Sequence, residues 1–320
     1  MAGGAFVYWG MRLATIDLGS NTVRLLVADV EPGARQWRVV EADQRVTRLG
    51  EGLAASGRLG EAPAERTSAA VGEYVARARR AGAERVAIVA TSAVREAANG
   101  REFAAALERA TAEPVTVVSG DEEATLTLAG VLGGLDGGRA PQTATLVLDI
   151  GGGSTEYILA RDREPVTIIS LRLGVVDLAE RYPFPGPVDW PRYRAMQAEV
   201  AGRLAAELPS EIRLAHPGRL VGTAGTATTL AALDLDLHQY DPGRVQGHVL
   251  ARGAIERLLA RLGALTVGER GALPCLEPGR ADLIIGGTAV VLATMDLMAA
   301  GRLIVSGWGL REGILIQLAS

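Results

Sequence analysis

An acidic, glycine-rich turn between two strand-like runs occurs twice in this chain, and that repetition limits the folds open to it. "DLGSNT" (Asp17 to Thr22) separates LATID from VRLLVADV, and "DIGGGSTE" (Asp149 to Glu156) separates TLVLD from YILA. The flanks are apolar and rich in β-branched residues, so each turn joins two strands of a hairpin. A dinucleotide-binding fingerprint is excluded, because its glycines must open a helix aimed at pyrophosphate, and here they open YILA. Only the second turn ends in a glutamate.

The segments after each hairpin repeat as well. Residues 12–18, 22–30 and 36–46 read as strands, 62–81 as a helix, 85–91 as a strand, 92–110 as a helix, 114–120 as a strand and 121–133 as a helix. "GGLDGGRAPQ" (133–142) then interrupts the pattern with glycines and a proline, the expected linker. Beyond it, strands are expected at 144–150, 155–161 and 165–171, and helices at 174–182 and 189–208. A strand at 218–223, a helix near 281–300, the strand RLIVSG and a helix at 309–319 complete the reading, while 232–248 has no clear period. This duplicated layout resembles the actin, sugar-kinase and Hsp70 architecture, an α/β fold of two ribonuclease-H-like domains facing a cleft. The expected division is 1–133 and 134–308, with the helix 309–319 open to joining the first domain. A length of 320 residues suits two domains, and a 48% apolar, 4% aromatic composition implies cores of Val, Leu, Ile and Ala.

Charge and composition narrow the chemistry. The net charge of −4 gives no global attraction to nucleic acid or to a membrane surface. All 33 basic residues are arginine, so a bound phosphate must be held by guanidinium, backbone N–H or metal. Cys275 is the only cysteine, which excludes an internal disulfide and a cysteine-based zinc site. His216, His238 and His248 lack metal-ligand spacing; His248 reads as a structural histidine or as one that lines the cleft. No apolar run reaches membrane-spanning length. The opening MAGGAFVYWG lacks the basic start of a signal peptide and reads as an extension, with Met11 as an alternative start; the expected compartment is the cytoplasm.

Four segments carry candidate chemistry, each with a purely structural alternative. A glycine turn supported by an aspartate is a common hairpin device. In two facing copies, however, Gly19, Ser20 and Asn21, and Gly151, Gly152, Gly153 and Ser154, offer amides to phosphate. Asp17 and Asp149 end their strands at the cleft, and Glu156 lies across the hairpin from Asp149, a pairing suited to a hard cation. In VATSAVREAAN, Ser92 and Arg95 at a helix start suit an anion, or form an ordinary N-cap with a solvated arginine. In VVSGDEEATL, Asp121, Glu122 and Glu123 satisfy a helix dipole, or one of them deprotonates water. In VGTAGTATTL, Gly222, Thr223, Gly225 and Thr226 offer a further phosphate cradle, a weak signal alone.

Taken in order, DLGSNTVRL, TSAVREAAN, SGDEEA, DIGGGSTE, LRLG, GTAGT, PGRAD and SGWGLREGIL resemble the exopolyphosphatase/guanosine pentaphosphate phosphatase family over residues 12–317. The resemblance implies hydrolysis of the terminal phosphate of inorganic polyphosphate, or of guanosine pentaphosphate, with Mg²⁺ or another divalent cation such as Mn²⁺. It implies Glu123, rather than Glu122, as general base, and Asp149 and Glu156 with Asp17 on the metal side. Phosphate contacts fall on Gly19, Ser20, Asn21, Arg95, the amides of Gly151 to Ser154 and the GTAGT loop; Arg24, beside the first turn, carries less weight. Thr125 departs from the arginine that often follows EEA. The chain resembles a short, two-domain member, expected to favour shorter polyanions, and a homodimer is compatible. A non-catalytic polyphosphate or alarmone sensor and a phosphotransferase are the alternatives from other classes.

Overall fold

The structure, a computed structural model, describes residues 10–31, 37–136 and 143–320. The expected extension at the N-terminus, apart from Gly10, and residues 137–142 of the expected linker lie outside these. The first sheet comprises β1 (Met11–Leu18), β2 (Thr22–Val30), β3 (Trp37–Val46), β4 (Arg85–Ala90) and β5 (Val115–Val117), in the order β3-β2-β1-β4-β5. The second comprises β6 (Thr145–Ile150), β7 (Thr155–Arg161), β8 (Glu164–Leu171), β9 (Arg219–Thr223), β10 (Val249–Ala251) and β11 (Arg302–Val305), in the order β10-β11-β9-β6-β7-β8. In both, an antiparallel meander lies beside parallel strands: β1 pairs parallel with β4, and β6 with β9. This is the duplicated α/β architecture expected from the repeated turns.

Strands β1 and β6 are buried almost throughout because helices cover both faces of their sheets. In the first sheet Ala14, Ile16 and Val23 pack with Val71 and Tyr74 of the helix Glu61–Arg80 and with Phe103 and Leu107 of the helix Gly100–Thr111. On the opposite face Leu13, Leu26 and Val30 pack against Leu315 and Ala319 of the C-terminal helix Leu310–Ala319. The helix Gly120–Asp136 makes the reciprocal move. Its Ala124, Leu128 and Val131 join Val147, Ile158 and Val221 of the second sheet.

These two crossing helices meet at glycines. A Cβ on Gly313 would run into the carbonyl oxygen of Leu126, and one on Gly130 into that of Gly309, so the backbones touch directly. Gly313→Val is therefore expected to destabilise the fold by more than about 3 kcal/mol, since neither carbonyl belongs to a movable side chain. An unfolding midpoint in urea within error of the parent's would show that the helices separate at no cost.

Three sequence-based assignments need correction. The helix expected over 92–110 is two, Ser92–Glu96 and Gly100–Thr111. Asn99 breaks it by donating to Leu59 O (3.0 Å) and accepting from Leu59 N (2.8 Å), and Gly100 lets the chain fold back onto the Val94 carbonyl. The strand expected over 114–120 is only three residues long, because Ser119 already caps the next helix. That helix continues to Asp136, past the expected start of the linker. The irregular 232–248 stretch leads into β10 and a helix Arg252–Gly263, neither of them among the elements expected from the sequence.

Candidate active site

The β1–β2 register sets Asp17 directly opposite Arg24, and the β6–β7 register sets Asp149 directly opposite Glu156. Directly opposed residues share a face of the sheet. The duplicated hairpins therefore differ at one equivalent position: a guanidinium faces the first aspartate, with Arg24 Nη1 3.7 Å from Asp17 Oδ2, and a second carboxylate faces the other. The row continues outward to Gln44 on β3 in the first sheet and to Ser170 on β8 in the second. Ser170 Oγ donates to Glu156 Oε1 at 2.7 Å.

The turns close alike, Gly19 N donating to Thr22 O (3.1 Å) and Gly151 N to Ser154 O (2.9 Å). Their tips meet across the cleft. A Cβ on Gly152 would stand 3.1 Å from Asn21 N, and one on Gly153 would strike Ser92 Oγ. A side chain at either position would have to push the Asn21 backbone or turn aside the Ser20 and Ser92 hydroxyls, so glycine lets the two domains approach this closely. Between the domains lies a cleft, open to solvent, lined by both turns, Asp17, Asp149, Ser92, Glu123, the Ala224–Thr226 segment, Arg24 and Arg280.

Glu123 reaches this cavity because its neighbour has another task. Ser119 Oγ accepts from Glu122 N (3.2 Å) and Ser119 N donates to Glu122 Oε2 (2.8 Å), a reciprocal cap that keeps Glu122 at the exposed helix start. Glu123, next on the helix, is only 8% exposed. Arg95 Nη1 donates to Glu123 Oε2 at 2.8 Å and to Val118 O at 3.0 Å, so this guanidinium orients the carboxylate.

Burial raises all four carboxylates above their usual range. Glu123 lies well above it, through burial and the charge of Glu156, against the pull of Arg95. Burial and Asp149 push Glu156 up to about 7. Asp17 rises to about 6 through burial, against Arg24 and with the charge of Asp149 adding. Asp149 is raised by burial and relieved by Arg24 and the Thr127 hydroxyl, 3.3 Å away. Arg95 on Glu123 and Arg24 near Asp17 and Asp149 only partly offset the cost of burying four carboxylates, and a hard cation would offset more of it. Among the described residues no three acidic, histidine or cysteine side chains meet closely enough to enclose an ion. Asp149 and Glu156, with Asp17 nearby, are the residues that could hold an ion such as Mg²⁺, which keeps several waters and takes phosphate oxygens as ligands.

Most of the expected site residues converge on the cavity. Asp17, Gly19, Ser20, Asn21, Glu123, Asp149, Gly151 to Ser154, Gly225 and Thr226 line it. Arg95 stands beside it on Glu123, and Glu156 stands beside Asp149. Gly222 and Thr223 end β9 behind the wall, where Thr223 Oγ1 donates to Trp308 O at 2.9 Å. His248 is away from the cavity, its Nε2 2.8 Å from Asp234 Oδ2. Sequence reasoning left Arg280 unassigned, although it stands in the PGRAD motif. Arg280 lines the cavity near Arg24, and its pKa falls to about 10 through burial and the repulsion of Arg24. Two like-charged guanidinium groups facing one cavity leave a place for a polyanion.

Over residues 26–320 the chain matches the Ppx/GppA phosphatase family. It is 36% identical over 322 residues to Exopolyphosphatase 2 of Mycobacterium tuberculosis, spanning 96% of this chain and 98% of that protein. The crystal structure of the Aquifex aeolicus Ppx/GppA family member superposes with a TM-score of 0.79 at 32% identity, covering 96% of this chain and 97% of that one. An exopolyphosphatase from Cytophaga hutchinsonii superposes with a TM-score of 0.88 at 25% identity, covering 97% and 98%. With its duplicated hairpins facing one cleft and the match running through nearly its whole length, the chain belongs to the Ppx/GppA phosphatase family.

Proposed function

We propose that this protein is an exopolyphosphatase that transfers the terminal phosphoryl group of inorganic polyphosphate to water. The observation that carries this reading is the joint lining of one cavity by both glycine turns, Glu123 and two arginines. Phosphoryl transfer from an anhydride needs positioning and charge neutralisation more than covalent help. The terminal phosphate would sit between the turns, against the amides of Gly151 to Ser154 and the hydroxyls of Ser20 and Ser92. Arg24 and Arg280 would neutralise the phosphates behind it. Glu123 would accept a proton from water as the new P–O bond forms and the bridging P–O bond breaks, the shortened chain leaving as the oxyanion.

Asp149 and Glu156, with Asp17 nearby, would hold Mg²⁺ or Mn²⁺, which when bound neutralises charge on the transferred group. The donors are local, so the overall charge of −4 does not oppose binding of a polyanion.

Phosphate release from polyphosphate, guanosine pentaphosphate and ATP, with Mg²⁺ or with EDTA, tests the reading. Polyphosphate is expected to turn over fastest and only with the cation. Faster release from guanosine pentaphosphate would transfer the same chemistry to that substrate, and no release from any of them would leave a binding protein.

A further inference from the structure

We infer that Gln44, at the outer end of the Asp17–Arg24–Gln44 row, is a positioning residue that holds Arg280 of the facing domain ready for the phosphate chain. This rests on the polyphosphate reading above. Adjacent strands stand about 4.8 Å apart, so Gln44 lies about 10 Å from Asp17 on the same face of the sheet. There it crosses to the other domain. Arg280 Nη2 donates to Gln44 Oε1 at 3.0 Å, and Gln44 Nε2 donates to Glu277 Oε1 at 2.6 Å. Arg280 Nε also lies 3.1 Å from Glu277 Oε2, so the amide bridges both members of that ion pair.

The rest of the setting fixes the guanidinium further. A Cβ on Gly225 would come within 2.5 Å of Arg280 Nη1, so glycine there makes room for it at the start of the helix Ala224–Asp234. Arg280 is left 11% exposed. Close by, Arg48 grips Asp282 with two hydrogen bonds (3.0 and 2.8 Å) and donates to Gly279 O (3.1 Å). That clasp holds the 277–282 segment against the end of β3, where Gln44 can reach Arg280. The chemistry of the amide is dictated by this geometry. Glu277 already places one carboxylate on Arg280, so a neutral acceptor orients the guanidinium without adding a second negative charge, whereas a carboxylate at position 44 would over-neutralise it and repel a polyanion.

Kinetics on inorganic polyphosphate separate this role from a structural one. Gln44→Ala is expected to raise KM about tenfold, with a smaller change in kcat, the scale of one lost hydrogen bond to a charged group. Gln44→Glu keeps the shape and the contact with Arg280, yet is expected to raise KM further than alanine does. In a double-mutant cycle, Gln44→Ala on top of Arg280→Ala is expected to add nothing. Gln44 would be shown to act without Arg280 by full additivity, and to act structurally by recovery of KM in Gln44→Glu. If the parent protein releases no phosphate, the exopolyphosphatase reading fails. The same cycle, read as Kd for inorganic tripolyphosphate by calorimetry, then decides the role of Gln44 by the same criteria.

Discussion

Glu123→Gln is expected to lower kcat by ~10²–10⁴-fold while KM for polyphosphate stays near the parent value. The amide keeps the shape of the side chain and can still accept from Arg95, whose guanidinium lies 2.8 Å from Oε2. It cannot take a proton. Glu123 suits the task because burial and the nearby Glu156 hold its pKa well above that of an exposed glutamate. A base of that strength takes a proton from water more readily than an ordinary carboxylate does. The rising limb of the kcat–pH profile should therefore vanish in the variant, while Glu122→Gln, which alters only an exposed helix cap, should keep both rate and limb. Equal turnover by Glu123→Gln and the parent would remove Glu123 from the mechanism. The Arg95→Ala variant adds a second check. Losing the cation that pulls the Glu123 pKa down should move the limb to higher pH, whereas a limb that stays in place would mean Arg95 serves the substrate alone.

The sequence carried the hairpins, and with them most of the fold, because strand, glycine turn and strand are local signals. Resemblance to a family motif pointed to Glu123 rather than Glu122 as the base, and of the two only Glu123 lines the cavity, Glu122 being held at the helix start by Ser119. Arg280 was not legible in the same way. It belongs to the site through Gly225 and Gln44, which are 55 and 236 residues away along the chain, and no periodicity links such positions. The kink at Ala97–Asn99 was hidden for a related reason. Its cause is the pairing of Asn99 with Leu59, a tertiary contact that overrides an alanine-rich helical pattern. Gly222 and Thr223 show the converse. Their small and hydroxylated side chains looked like a phosphate cradle, but Thr223 is engaged with the Trp308 carbonyl.

Glu156→Gln is expected to lower Mg²⁺-dependent kcat on the order of 10³-fold, the several kcal/mol that a bound cation contributes to such a transition state. The same substitution should be visible without any substrate. In the parent, Glu156 titrates at about 7 and Asp17 at about 6, both above their unfolded values. A carboxyl whose folded pKa is raised binds more protons when folded, so its contribution to stability is complete below the unfolded pKa and is lost as pH rises through the folded one. The parent in EDTA should accordingly lose thermal stability between about pH 5 and pH 8. Glu156→Gln, with one fewer buried charge to form, should lose less over that interval. Mg²⁺ competes with protons for the same oxygens, so it should raise the parent's midpoint more at pH 8 than at pH 6, and the variant's very little at either. A Mg²⁺-induced shift that is equal in parent and variant would place the ion elsewhere. The cross-strand pairing of Asp149 with Glu156 would then be a buried repulsion relieved only by the more distant Arg24 and Arg95. Folding around such a pair costs stability, whereas in the first hairpin Arg24 relieves Asp17 at the equivalent position.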